Sequence, residues 1–197
     1  MVFSSTVFLL LFLPLVALVY FLCPRKARNT VLLIASLLFY GWGEPKYILI
    51  MLFSTVFDYC NGRGIGYFRD QGREKAAKAV MLVSVAGNLA ILAFFKYTDF
   101  AIDNINSLLN AGIPALGLAL PIGISFYTFQ ILSYVVDVYR KDTKAQKNIV
   151  NFGAYVTMFP QLIAGPIVRY KDIAIQLENR KTTFEGAALG IRRFIIG

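Results

Sequence analysis

Histidine is absent from all 197 residues. That excludes a Ser-His-Asp triad, a Cys-His pair and nearly every imidazole-based metal site within the chain. No catalytic residue and no metal ligand set can therefore be named here. Only two cysteines occur, Cys23 and Cys60, each at the end of an apolar run and without a CxxC motif. A disulfide framework is not expected. The plain reading is two packed or interfacial thiols, with juxtamembrane palmitoylation as the alternative. Charge is scarce as well: 16% of residues, against roughly one-quarter in soluble globular chains. A cleavable leader is not recognisable, because apolar sequence starts at Val2 with no charged region before it and no small-x-small site after it. Leu22, just before Cys23, is too large for a typical lipoprotein cleavage site.

Apolar residues occupy the space that charge leaves, at 57% of the chain and a mean hydropathy of +0.62. Too little polar side chain remains to cover a water-facing globule. The fold class that follows is all-α, a multipass transmembrane helical bundle with membrane lipids as its surroundings. The net charge is +9, from 20 Lys and Arg against 11 Asp and Glu. These basic residues lie between apolar runs rather than in one patch. Loop retention on the cytoplasmic side explains them, and nucleic acid is not an expected partner.

A crossing needs about 20 apolar residues. Residues 3–22, 79–95 and 113–138 are long enough. Residues 30–42 and 45–59 are short, and read as tilted spans or as two arms of a hairpin. Residues 98–110 read as a short helix in the outer interface, with Ala101, Ile102, Ile105 and Leu109 on one side and Asp103, Asn104 and Asn106 on the other. The connections alternate. Arg25, Lys26 and Arg28 make the first basic, and Glu44 with Lys46 makes the second neutral. Arg63, Arg69, Arg73, Lys75 and Lys78 make the third basic. Asp99 and Asp103 tip the fourth acidic, and Arg140, Lys141, Lys144 and Lys147 make the fifth basic. This pattern puts the basic connections inside and Met1 outside. Arg169, Lys171, Arg180, Lys181, Arg192 and Arg193 then break it, since one more crossing would leave them outside. Between lie Gly153, Pro160, Gly165 and Pro166, so residues 151–166 are read as a broken element that enters the membrane and returns. Thr182 and Glu185 fit a capping box for a last helix that is still running at Gly197, so the chain reads as cut short.

Two stretches carry the chemistry. At 100° per residue, Gly123, Tyr127, Gln130, Tyr134, Asp137 and Lys141 fall on one stripe. An Asp at mid-membrane costs about 2.5–3.5 kcal/mol on insertion scales. The stripe therefore faces other helices or a wet path, and both interhelical bonding and a substrate wall fit it. Lys141 stands where it can pair with Asp137. In the broken element, Gln161 precedes the bend and Arg169 follows it. They could meet an anionic cofactor from the cytoplasm. Equally, Gln161 could satisfy backbone freed by Pro160 while Arg169 snorkels. Gly62-Arg63-Gly64-Ile65-Gly66 is not a dinucleotide loop, since its third glycine comes one residue early and no βαβ strand precedes it. It reads as a flexible helix exit.

Several stretches resemble a known family. They are Val2-Phe3-Ser4-Ser5, Ser36-Leu37-Leu38-Phe39-Tyr40-Gly41-Trp42-Gly43-Glu44-Pro45 and Phe95-Lys96-Tyr97. More specific are Pro121-Ile122-Gly123-Ile124-Ser125-Phe126-Tyr127-Thr128-Phe129-Gln130 and Met158-Phe159-Pro160-Gln161-Leu162-Ile163-Ala164-Gly165-Pro166-Ile167-Val168-Arg169. In order along the chain, they resemble the bacterial alginate O-acetyltransferase branch of the membrane-bound O-acyltransferases. The resemblance implies a helical bundle around a central tunnel in the bacterial inner membrane. It implies acyl transfer, here of acetyl, from acetyl-coenzyme A or another cytoplasmic donor to an extracytoplasmic polysaccharide. It also implies a separate extracytoplasmic acetyltransferase as partner. The family's histidine sits in a Trp-His-Gly type motif that these residues lack, so residues 1–197 would form the N-terminal part of one such domain, inactive alone. Tyr127, Gln130, Tyr134 and Gln161 become candidates for the tunnel wall, with Arg169 near the donor mouth. A multipass transporter or flippase is the rival reading, and a non-catalytic scaffold for a secreted partner is a third.

Overall fold

The computed structural model describes residues 5–109, 111–162, 168–180 and 183–196, and every regular element within them is helical. A π-turn at Phe8–Phe12 leads into α1 (Leu13–Leu22). Pro14 has no N–H to offer the preceding turn, and the Leu13 N–H reaches back to Phe8 O, which widens the helix there. The longer helices follow: α2 (Arg28–Gly43), α3 (Ile48–Asp70), α4 (Glu74–Leu109) and α5 (Ile124–Arg140). Shorter pieces complete the chain: α6 (Ile149–Thr157), α7 (Phe159–Leu162), α8 (Tyr170–Asn179) and α9 (Phe184–Ile196). α3 lies along α4, α2 along α6, and α5 packs against α3, α4, α6 and α8. Met51, Ile65, Ile131, Tyr134, Val135, Phe152 and Tyr155 form the centre of the core. A second cluster joins Phe8, Phe39 and Phe159 edge to face.

Polar side chains are buried beside the apolar core while many large apolar ones are exposed, unlike the usual water-soluble domain. Asp58, Ser84, Asn88, Gln130 and Asp137 are buried, while Leu10, Leu22, Leu38, Trp42, Phe53 and Val83 are exposed. Leu22 is 77% exposed and Asp58 0%. Among the described residues, α4 is the one helix long and apolar enough to cross a membrane, and Phe8–Leu22 is apolar but shorter. The 36 residues of α4 extend about 54 Å at 1.5 Å per residue, well past the roughly 30 Å of a hydrocarbon core.

Several boundaries differ from the sequence expectation. Residues 98–110 are not a separate interfacial helix, because α4 runs unbroken to Leu109. No Gly or Pro stands between Asn88 and Leu109 to stop it. Residues 113–138 are not one span either: α5 starts only at Ile124, after Pro114, Gly117 and Pro121 have kept the chain out of helix. α3 passes straight through Gly62-Arg63-Gly64-Ile65-Gly66 to Asp70, so these glycines are no flexible exit. A Cβ on Gly62 would stand 2.7 Å from the Tyr134 ring, and one on Gly66 3.0 Å from Ala145 Cβ. They are contact points rather than hinges. The last helix is capped by Thr183, whose Oγ1 accepts from Gly186 N at 3.1 Å, while Thr182 lies outside the described residues. Lys141 is exposed just past the end of α5 in a left-handed conformation (φ 67°) and makes no ion pair with Asp137. Among the described residues Arg69–Glu74, at 3.6 Å, is the ion pair formed.

The break in residues 151–166 is present as far as it is described. α6 stops at Thr157, Met158 turns extended (ψ 110°), and α7 is a single turn containing Pro160. Phe159 N, released from the helix ladder, donates to Ser36 Oγ at 3.2 Å. Gly165 and Pro166 lie outside the described residues. Beyond them the chain is back among the first basic connection. Arg180 donates to Tyr20 Oη at 2.8 Å and to Asn29 Oδ1, and Asn29 Nδ2 donates to Leu177 O at 2.8 Å and to Asn151 Oδ1 at 2.8 Å. Tyr59 Oη donates to Lys147 O at 2.6 Å. The segments around Arg28, Arg63, Lys147 and Arg180 thus share one end of the bundle. Asn148 caps α6 there, its side chain accepting from Val150 N at 2.8 Å. Asn148→Ala is expected to cost about 1 kcal/mol, checked as a lower unfolding temperature in detergent.

Candidate functional site

The site is built around the inner face of α5. Its period brings Tyr127, Gln130, Tyr134 and Asp137 inward, each 4% exposed or less. Gln130 Nε2 donates to Tyr155 O of α6 at 2.9 Å. Tyr155 Oη reaches Val168 O at 3.1 Å, which ties the chain beyond the break to α6. Tyr134 Oη accepts from Gln146 N at 3.0 Å. Gln146 donates through Nε2 to Tyr170 Oη at 2.7 Å and to Glu178 Oε1 at 3.2 Å, and its Oε1 accepts from Asn148 N at 2.9 Å. The rings of Tyr134, Tyr155 and Tyr170 stand edge to face, 5.0 Å and 5.1 Å apart on either side of Tyr170. Burial pushes the Tyr170 phenol above its ordinary pKa; the Gln146 bond opposes this, and Glu178 adds to it.

At the other end of α5 the polar atoms lack partners. Tyr127 Oη, Tyr40 Oη and Gln161 Oε1 are buried and make no hydrogen bond among the described residues. Buried hydroxyls and amides normally find one, so each of these atoms calls for a water, a ligand or a residue outside those described. Tyr40, Tyr127 and Leu162 share one core cluster. Leu162 O approaches to 2.6 Å of where a Gly123 Cβ would be, so α7 abuts the first turn of α5, next to Gln161 and one turn before Tyr127.

The five sequence candidates therefore separate. Gln130 and Tyr134 spend their polar atoms on neighbouring backbone. Tyr127 Oη and Gln161 Oε1 find no hydrogen-bond partner among the described residues. Arg169 is exposed at the start of α8 and stands apart from that junction in its exposure. Asp137 keeps Oδ2 buried and unpartnered toward the opposite end of α5.

Sequence reasoning missed one cluster. Asp58 of α3 is fully buried and accepts from Ser84 Oγ and, at 2.7 Å, from Asn88 Nδ2, both of α4. The available signal was that Asp58 is the sole charged residue between Lys46 and Arg63. An ionisable group inside an apolar run needs a named partner. Gln146 was missed too, being one polar residue in a polar connection.

No protein-family model matches the chain, and no solved structure matches it. Curated proteins do. The chain is 43% identical over 201 residues to the probable alginate O-acetylase AlgI of Pseudomonas aeruginosa, and 42% identical over 201 residues to that of Azotobacter vinelandii. It is 30% identical over 230 residues to a peptidoglycan O-acetyltransferase of Helicobacter pylori. Each alignment takes in 100% of this chain but only 38%, 40% and 43% of the respective relative. The chain thus spans about two-fifths of the length of the curated relatives it matches. Similarity this high is sustained from one end of the chain to the other, so over its whole length the chain resembles the alginate O-acetylases and, more distantly, a peptidoglycan O-acetyltransferase.

Proposed function

We propose that the chain is part of a multipass O-acetyltransferase of the bacterial inner membrane. In this reading acetyl passes from a cytoplasmic donor, acetyl-coenzyme A or another acyl carrier, to an extracytoplasmic polysaccharide. The similarity along the whole chain to these relatives, and their names, support the reaction class. The many large apolar side chains left exposed, with Asp58, Asn88 and Gln130 buried, support lipid as the solvent, because water would not tolerate so large an apolar surface. The basic segments, gathered at one end, would face the cytoplasm and leave Met1 outside. Residues 151–166 would enter the membrane and return. A separate extracytoplasmic acetyltransferase would accept the group or finish the transfer. The general base, by the family resemblance a histidine, would come from residues beyond these, so this segment would supply wall and orientation rather than proton transfer.

One observation carries the role of this segment: the buried Tyr127, Tyr40 and Gln161 atoms that find no hydrogen-bond partner among the described residues. They would line the route, with Gln130 and Tyr134 bracing it and Arg169 at the donor side. The activity is tested by O-acetyl content of polysaccharide exported from a host that carries the full gene and otherwise exports it unacetylated. Tyr127→Phe separates route from scaffold. Its hydroxyl has no partner among the described residues, so membrane level and unfolding temperature are expected to stay unchanged, while transfer falls about tenfold, the equivalent of one hydrogen bond near 1.4 kcal/mol. Gln130→Leu is expected to do the opposite first: it leaves Tyr155 O unsatisfied and lowers the amount of folded protein. Undiminished transfer by Tyr127→Phe removes the route from this junction.

A further inference from the structure

A cavity lies away from the α5–α7 junction, at the end of the bundle where the basic segments meet. It measures about 570 Å³ and opens between the C-terminal half of α3 and residues 141–147. Arg63 and Arg69 line it from α3, and Lys141, Lys144 and Lys147 from the facing segment, with Asp70 as its one carboxylate. The facing segment is held in place. Tyr59 Oη donates to Lys147 O at 2.6 Å, Gln146 N donates to Tyr134 Oη at 3.0 Å, and Gly66 lets α3 approach Ala145. The left-handed turn at Lys141 (φ 67°) starts the segment back toward α3. Arg69 is also fixed: its guanidinium sits over the Tyr139 ring at 5.0 Å and meets Glu74 at 3.6 Å, yet its buried Nε has no partner among the described residues.

Five cations line this cavity against Asp70, with Glu74 meeting Arg69 from outside the lining, so positive charge dominates and repels itself, and a low-dielectric cleft concentrates the field. Such an arrangement persists most easily when a multiply charged anion occupies it. Guanidinium forks match paired oxygens, and ammonium groups add point charge, a combination suited to phosphate. We propose that this cavity binds a phosphate-bearing anion through Arg63, Arg69, Lys141, Lys144 and Lys147. The phosphate comes either from an acidic phospholipid headgroup at the interface or from a soluble phosphate compound. The site goes beyond the acyl-transfer reading and does not depend on it.

The test uses binding alone, on the full-length protein. In neutral detergent, inorganic pyrophosphate is titrated. In nanodiscs of phosphatidylcholine with and without phosphatidylglycerol, retained lipid is measured by native mass spectrometry. The variant is Arg63→Gln/Lys144→Gln/Lys147→Gln, whose three side chains are exposed. The control, Lys75→Gln/Lys78→Gln/Lys171→Gln, removes the same charge from exposed positions elsewhere. The cavity variant is expected to bind about tenfold more weakly while the control binds as the parent does. Loss confined to pyrophosphate identifies a soluble phosphate, and loss confined to phosphatidylglycerol identifies the headgroup. Equal binding of both probes by variant and control overturns the site, whatever the acetyl-transfer assay reports.

Discussion

Asn88→Leu is expected to cost about 3 kcal/mol, the upper range for a hydrogen bond to a charged group. The side chain donates to Asp58 Oδ2 at 2.7 Å, and both residues are buried, at 1% and 0% exposure. Leucine is similar in size, so the change removes a donor without opening a cavity. What remains is a carboxylate between α3 and α4 that keeps Ser84 but has lost its amide donor. A buried acceptor stripped of one partner bears the desolvation that the partner had offset. The double change Asp58→Leu/Asn88→Leu is expected to be less damaging than the two single changes added together, because it removes the carboxylate and its donor at once. Thermal unfolding in detergent checks both statements. A parent-like melting point for Asn88→Leu would show that Asp58 does not hold the α3–α4 contact. A double variant equal to the sum would show that the two residues act independently.

Legibility in the sequence followed the range of each interaction. The inner face of α5 could be read, because a 3.6-residue period places Tyr127, Gln130, Tyr134 and Asp137 together without knowledge of any other helix. Their partners could not be read. Tyr155 O and Gln146 N belong to other segments, so whether Gln130 or Tyr127 retained a free polar atom depended on how α6 lay. The Asp58–Asn88 pair spans 30 residues and two helices: a lone Asp in an apolar run signals that a partner is needed, but nothing local to it names Asn88. Gly62 and Gly66 misled for the same reason. Glycine lowers helix propensity, yet Tyr134 and Ala145 fill the space its missing side chain leaves, and tertiary packing overrides the local preference. By contrast, the start of α5 was written locally in Pro114, Gly117 and Pro121, and was passed over because residues 113–138 are apolar enough to resemble one continuous span. Apolar content reports the solvent of a segment, not its backbone conformation.

Gly123→Ala is expected to be as damaging as Asn88→Leu, for a different reason. Two costs add at this position. Its φ of +79° is left-handed, which charges an alanine about 1–2 kcal/mol. Its Cβ would then sit 2.6 Å from Leu162 O, a backbone atom that cannot move unless α7 moves. Overpacking of this kind adds about 1–3 kcal/mol, so a total near 3 kcal/mol is expected, measured as the fall in unfolding free energy in detergent. Gly117→Ala separates the two contributions. It shares the left-handed backbone, with φ +60°, but has nothing within 4 Å, so only the conformational cost applies. The difference between the two variants therefore measures the α5–α7 contact itself. That contact sets where Gln161 stands relative to Tyr127. If the proposed route runs between them, the Gly123→Ala protein that does fold should transfer acetyl more poorly than Tyr127→Phe, since it displaces the wall instead of removing one hydroxyl from it. Equal stability loss in the two glycine variants would mean that α7 yields freely at Leu162, and a junction that yields freely cannot orient a substrate.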